Sequence, residues 1–240
     1  MGHSLTGHHA SRSQVQRRLN IAVMTRLILV RHGESKVAVE RLISSGRTCT
    51  GLSELGHRQA AALAERWSTH VEVRADVLIS SKYQRALETA QALAPVLALP
   101  VVQMASFGEH DPGGEVEGLT YAEFTGKYPD FHWSDDPYLA GFPGGETVAE
   151  FRLRVGAALG ELLRDNSGKT VVIVCHGGVI DSIFRRLLIT PISGIFELYT
   201  LNTAVSEFVL TDRNTWSLVR YNDAAHLDGL PAATIPPHSD

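Results

Sequence analysis

The sequence has little that would tie it to a membrane, to nucleic acid or to an oxidising compartment. No apolar run among its 240 residues reaches the roughly 18 residues of a membrane-spanning helix, so no membrane partner is expected. There is no basic surplus either. The 22 Lys and Arg face 26 Asp and Glu, a net charge of −4, and nucleic-acid binders ordinarily show the opposite balance. Only two cysteines occur, Cys49 and Cys175, too few for a disulfide framework. A reducing compartment, by default the cytoplasm, is therefore expected. Residues 1–24 contain no Asp or Glu and lack the apolar core of a secretory signal. They are expected to be a disordered leader or an expression remnant, with Met24 an alternative start.

What remains is ordinary for a globular chain, with 44% apolar and 20% charged residues. One domain is expected over residues 25–222, with an irregular insertion at 107–146 and a loose tail at 223–240. Strand and helix patterns alternate along it. "RLILV" at 26–30, "DVLIS" at 76–80 and "TVVIV" at 170–174 are short apolar runs suited to strands buried on both faces. "PVVQMA" is a further strand candidate, and "TDRNT" reads as the turn of a hairpin between 204–210 and 216–221. Helical periods run through 53–68, 83–97 and from Val148 onward, with a short helix near 119–127 and another after Gly178. Ser53 is a candidate N-cap, Thr147 and Glu150 have capping-box spacing, and Pro95 is expected to cut its helix short. The alternation predicts a three-layer α/β/α sandwich around a mostly parallel sheet.

Three polar clusters follow three of these strands: "RHGES", "SSKYQR" and "CHGG". In open α/β sheets the carboxyl ends of the strands share one ligand crevice. Arg31, His32, Arg85 and His176 are thereby aimed at one place. Two guanidinium forks match phosphate or carboxylate oxygens. Gly33 and Gly177 would let backbone N–H groups approach an anion, and a helix opening at Gly177 would add its positive end. Two guanidiniums and an imidazolium can balance a phosphomonoester dianion, so no metal and no cofactor are called for. The charge of Arg31 should keep His32 neutral and nucleophilic, leaving His176 as the cation.

"LVRHGES", "SSKYQRALETA" and "VIVCHGG" resemble the signature segments of the histidine phosphatase superfamily, which includes the cofactor-dependent phosphoglycerate mutases. The resemblance runs in order over residues 26–222. It implies a phosphoglycerate mutase-like fold, a phosphohistidine at His32, and a phosphate pocket completed by Arg31, Arg85 and His176. It also implies a protonating acid within "FGEHDPGGEVEGLTY", where Glu109 falls at the matching place. A carboxyl facing a phosphate dianion has its pKa raised, so it can hold the proton a leaving alkoxide needs.

The pattern departs in two places. Many relatives carry Asn where this chain has Ala38, which removes one phosphate donor; Ser35 or the 44–51 loop would have to compensate. The acid segment is one residue longer than usual, so counting back from Gly118 lands on His110 and from Gly113 on Glu109. Glu109 is the carboxyl, with Asp111 as the alternative. Cys175 reads as packing and Cys49 as an incidental thiol. The aromatics Tyr121, Phe124, Tyr128, Phe131, Trp133, Tyr138 and Phe142 either line a pocket or staple the insertion down.

The insertion selects among activities. Between His110 and Phe151 its sole basic residue is Lys127, among many Asp and Glu, and no Lys or Arg follows Asp223. The mutases use basic residues in this region to hold a substrate carboxylate. The expected function is therefore hydrolysis of a small phosphorylated metabolite with a neutral, apolar or cationic leaving group. The alternatives are a mutase-like phosphotransferase and a non-catalytic phospholigand binder. A homodimer is left open.

Overall fold

Residues 24–132, 136–191 and 198–231 are described in the computed structural model of the chain. The leader before Met24 and Trp133 lie outside them. In chain order they form β1 (Arg26–Arg31), α1 (Lys36–Val39), α2 (Glu54–Thr69), β2 (Val77–Ser80), α3 (Gln84–Leu97) and β3 (Val101–Gln103). A 3₁₀ turn at Ala105–Phe107, α4 (Tyr121–Lys127), α5 (Val148–Asp165), β4 (Thr170–Cys175), α6 (Gly177–Leu187), β5 (Val205–Leu210) and β6 (Trp216–Asp223) follow.

The layering comes from the period of two along the central strands. Leu27 and Leu29 of β1, with Val171, Ile173 and Cys175 of β4, pack on α5 and α6 through Val155, Leu159, Val179 and Ile183. The alternate residues Ile28, Val30, Val172 and Val174 face α2 and α3, meeting Leu63, Trp67, Ala86, Ala90 and Leu93. Both faces of the sheet are thus covered by helices, which is why these strands read as unbroken apolar runs. The sheet order is β3-β2-β4-β1-β5-β6. Strands β1, β2, β3 and β4 pair in parallel, whereas β5 runs antiparallel to both β1 and β6. The expected sandwich with a mostly parallel sheet is the observed one.

Local signals hold the elements in place. Ser53 caps α2 by accepting from Gly56 N, and Thr147 with Glu150 makes a full capping box at α5. A second box, Thr120 with Glu123, starts α4. The hairpin turn between β5 and β6 is closed by Thr211 N donating to Thr215 O at 2.9 Å. Pro95 does not cut α3 short. The helix runs on to Leu97 and ends at Ala98 in the left-handed conformation, because a proline in the last turn removes only one ladder hydrogen bond.

The insertion has its own small core of Ile43, Val116 and Phe124, against which Leu119, Tyr128, Phe131 and Phe142 pack. These aromatics staple the insertion to the 42–43 segment rather than line a pocket, while Tyr121 and Tyr138 are exposed. The chain after residue 223 is not loose throughout. Ala225–Leu227 form a 3₁₀ turn, and His226 Nε2 shares a 2.9 Å hydrogen bond with Thr203 Oγ1.

Candidate active site

Strand register brings the distant signature residues together. Arg31 at the end of β1 pairs with Cys175 at the end of β4, and His32 N continues the ladder to Cys175 O at 2.9 Å. The next residues out of the two strands are His32 and His176, whose ring centroids lie 5.0 Å apart in an edge-on arrangement. On the other side of β4, Ser80 pairs with Val174, so Ser81 emerges beside His176. Ser81 Oγ and His176 Nε2 share a 2.7 Å hydrogen bond. Two residues into α3, Arg85 turns back and its Nε donates to His32 Nε2 at 3.0 Å.

The imidazole of His32 is set for one tautomer. Its Nδ1 lies 2.7 Å from the carbonyl of Gly33, an acceptor only, so Nδ1 carries the hydrogen and Nε2 the lone pair. Asn202 Nδ2 donates to the His32 carbonyl at 2.9 Å and fixes the backbone beneath it. Burial first, then the Arg85 and Arg31 guanidiniums, hold His32 well below the usual histidine range. The neutral His32 expected from Arg31 alone is therefore neutral chiefly through burial and Arg85. His176 is also held well below the usual range by burial, then by Arg85, His32 and Arg31. Burial first, and then the two guanidiniums beside it, disfavour the expected cation in this geometry.

Glu109 reaches the same place from the insertion. One carboxylate oxygen accepts from Gly178 N at 3.0 Å, at the start of α6, and the other accepts from His110 N at 3.1 Å. A side chain at position 178 would collide with that carboxylate, so the second glycine of "CHGG" makes room for the acid. Arg154 of α5 fixes the supporting loop, donating to the carbonyls of Ser106 at 2.9 Å, Gly108 at 3.2 Å and Glu109 at 3.4 Å. Asp111, the alternative acid, is instead paired with Arg47 at 3.1 Å.

Gly33 and Ser35, both expected to face the anion, are engaged elsewhere. Gly33 does not present its amide outward, since Gly33 N donates to Thr89 Oγ1 at 3.0 Å. Its side chain is absent because a Cβ would stand 2.6 Å from the Gly56 carbonyl of α2. Ser35 is the N-cap of α1, accepting from Ala38 N at 3.3 Å. Among the described residues no hydrogen bond joins it to the histidines. Ala38 is exposed and adds no donor.

A cavity of about 960 Å³ is bordered among others by Arg47, Lys82, Tyr83, Glu109, Asp111, Glu146 and Arg154. It meets the site through Glu109 and through Tyr83, whose ring lies 4.6 Å from that of His176, while His32, His176, Arg31 and Arg85 do not line it. Charge counting within the insertion misses its basic residues, since Arg47, Lys82 and Arg154 come from other segments. Two of them are already paired. Arg47 bonds Asp111 at 3.1 Å and Glu117 at 2.5 Å, and Arg154 bonds Glu146 at 2.8 Å. Ser81 and Asn202, which position the two histidines, also escaped sequence reading. Each is a small polar residue whose part depends on register, and only the place of Ser81 within "SSKYQR" hinted at it.

A polar floor of two histidines and two arginines at the carboxyl ends of a doubly covered parallel sheet defines an anion-handling α/β protein. The profile of the Histidine phosphatase superfamily (branch 1) matches residues 27–224, and the chain belongs to that family. Phosphoglycerate mutase-like protein 4 of Arabidopsis thaliana is 32% identical over 206 residues, 84% of this chain and 86% of the relative. The Metal-independent phosphoserine phosphatase of the same organism is 32% identical over 213 residues, covering 86% and 85%. The phosphoserine phosphatase of Entamoeba histolytica in complex with 3-phosphoglyceric acid superposes with a TM-score of 0.70 at 28% identity, covering 85% of this chain and 100% of that one.

Proposed function

We propose that the protein is a phosphoric monoester hydrolase that works through a phosphohistidine at His32. The observation that carries the reading is the meeting of buried His32, His176 and Arg85 with half-buried Arg31 in one cluster, with the two imidazoles 5.0 Å apart. The phosphate of the substrate takes its place among the guanidiniums, and Arg85 turns its fork from His32 to the phosphate oxygens. The freed Nε2 lone pair attacks phosphorus, an N–P bond forms and the ester P–O bond breaks. Glu109 gives its proton to the leaving oxygen. In the second half, water attacks the phosphohistidine, Glu109 takes a proton from it, and the N–P bond breaks to release inorganic phosphate. His176, Arg31 and the N–H groups at the start of α6 stabilise charge on the equatorial oxygens.

The leaving group is neutral, apolar or cationic. Arg47 and Arg154 at the mouth are neutralised by Asp111, Glu117 and Glu146. A substrate carboxylate would find Lys82, which is exposed and makes no ion pair among the described residues. Both cysteines are free, in keeping with a cytoplasmic site of action. Among the described residues no helix is long and apolar enough to cross a membrane.

The test is release of inorganic phosphate from a generic aryl phosphate. Native protein is expected to turn over in excess EDTA, and His32→Ala to lose at least about 10³-fold in rate. Loss of native activity in EDTA contradicts the metal-free charge balance. An active His32→Ala contradicts the nucleophile. A panel of phosphomonoesters differing in leaving-group charge tests the substrate class, and higher kcat/KM for carboxylate-bearing members overturns it.

A further inference from the structure

Beside Arg31 stands a hydroxyl without a hydrogen-bond partner among the described residues. Thr200 precedes β5 and is 3% exposed. Its carbonyl accepts from a terminal nitrogen of Arg31, so the two residues are tethered. Its Oγ1 is buried and makes no hydrogen bond among the described residues. A Cβ placed on Gly177 would sit 3.6 Å from Thr200 Oγ1 and 3.9 Å from Arg31 Nε. Hydroxyl, guanidinium and the first residue of α6 therefore border one small space.

The site holds further orphans. Arg31 Nε, one terminal nitrogen of Arg85 and His176 Nδ1 are also buried without a hydrogen-bond partner among the described residues. Leaving a buried polar group unpaired is costly, and native proteins keep few of them. Ser81 can donate to His176 Nε2, which puts the hydrogen of a neutral His176 on Nδ1. Thr200 Oγ1 and Arg31 Nε thus border one space without an acceptor among the described residues, and Arg85 and His176 each hold a further free donor in the same site. An anion with several acceptor oxygens can serve the hydroxyl and the guanidinium together.

We propose that Thr200 is a further phosphate-binding residue, its hydroxyl donating to the phosphate oxygen that Arg31 holds. This rests on the reading above that phosphate binds between the arginines and the histidines. Thr200→Val removes the hydroxyl and keeps the shape. A hydrogen bond to a charged group is worth about 1.5–3 kcal/mol, so the inhibition constant for inorganic phosphate should rise roughly 10- to 100-fold, and KM should rise more than kcat falls. Thr200→Ser keeps the hydroxyl and should stay within a few-fold of native. If Thr200→Val does not fold, as judged by its thermal transition, Thr200→Ala gives the same comparison. Native-like phosphate inhibition in the hydroxyl-less variant overturns the proposal, as does Thr200→Ser binding as weakly as that variant. The proposal and the reading beneath it fail separately: an active His32→Ala sinks the nucleophile, whereas an inactive one with a native-like Thr200→Val removes only Thr200.

Discussion

At the floor of the site Arg31 and Arg85 are closely packed, and neither forms an ion pair among the described residues. At the mouth Arg47 is exposed, with 57% of its side-chain surface open, and it holds two carboxylates. The floor keeps its guanidiniums out of direct ion pairs, with the Glu109 carboxylate acting on Arg31 only through its field, and such charge is costly where water is excluded. The mouth pairs Arg47 and Arg154 with carboxylates and leaves Lys82 in solvent, and exposed pairs are worth little where water screens them. The difference teaches where to look for chemistry. Unpaired donors aimed inward are held ready for an anion, while paired charges facing solvent shape and fasten loops.

Glu109 stands between the two regions and gives the sharpest way to break the contrast. Glu109→Ala should slow hydrolysis of alkyl phosphates by on the order of 10²- to 10⁴-fold, and of aryl phosphates far less, because a phenolate leaves without a proton. Equal slowing of both classes would move the acid elsewhere. Arg154→Met should act through Glu109, since Arg154 holds the carbonyls beneath it. Its kcat/KM should fall roughly tenfold with the same bias toward alkyl esters. A uniform loss across leaving groups would make Arg154 a purely structural residue.

Acid should unsettle the floor before the mouth. Unfolded imidazoles bind protons below a pH of about 6.5. Burial, with Arg85 next, holds His32 and His176 well below that, and burial takes His226 down to about 4. The unfolded chain therefore binds more protons than the native one in this window. Stability is full above pH ~6.5 and is lost progressively as pH falls toward the native values. Urea titrations from pH 7 to 5 measure this, and added inorganic phosphate should recover part of it. Unchanged stability at pH 5 would mean the histidines are not held neutral. The smallest effect belongs to the mouth. Arg47→Ala should change stability by less than about 1 kcal/mol and leave kcat on a neutral aryl phosphate within a few-fold. A large loss of kcat would make Arg47 part of the floor.

The layered sheet could be read in advance because β1 and β4 are apolar on both faces, and the polar residues after them had only one crevice to enter. Arg31, His32, Arg85 and His176 follow from that topology. Residues whose work depends on tertiary register stayed hidden. Ser81 meets His176 only because β2 lies against β4, and Thr200 meets Arg31 only because β5 lies against β1. Arg47 reaches the mouth from well before the insertion and Arg154 from the helix just after it, so counting charges within 107–146 could not find them. Ser35 read as a ligand because of its nearness in sequence, yet its lone pair caps α1.

The most direct test of the account is a rapid quench of the protein during turnover of a ³²P-labelled phosphomonoester, followed by peptide mapping. The account requires acid-labile, alkali-stable label on His32, absent from His32→Ala. Turnover with no such label, or label on any other residue, would contradict it.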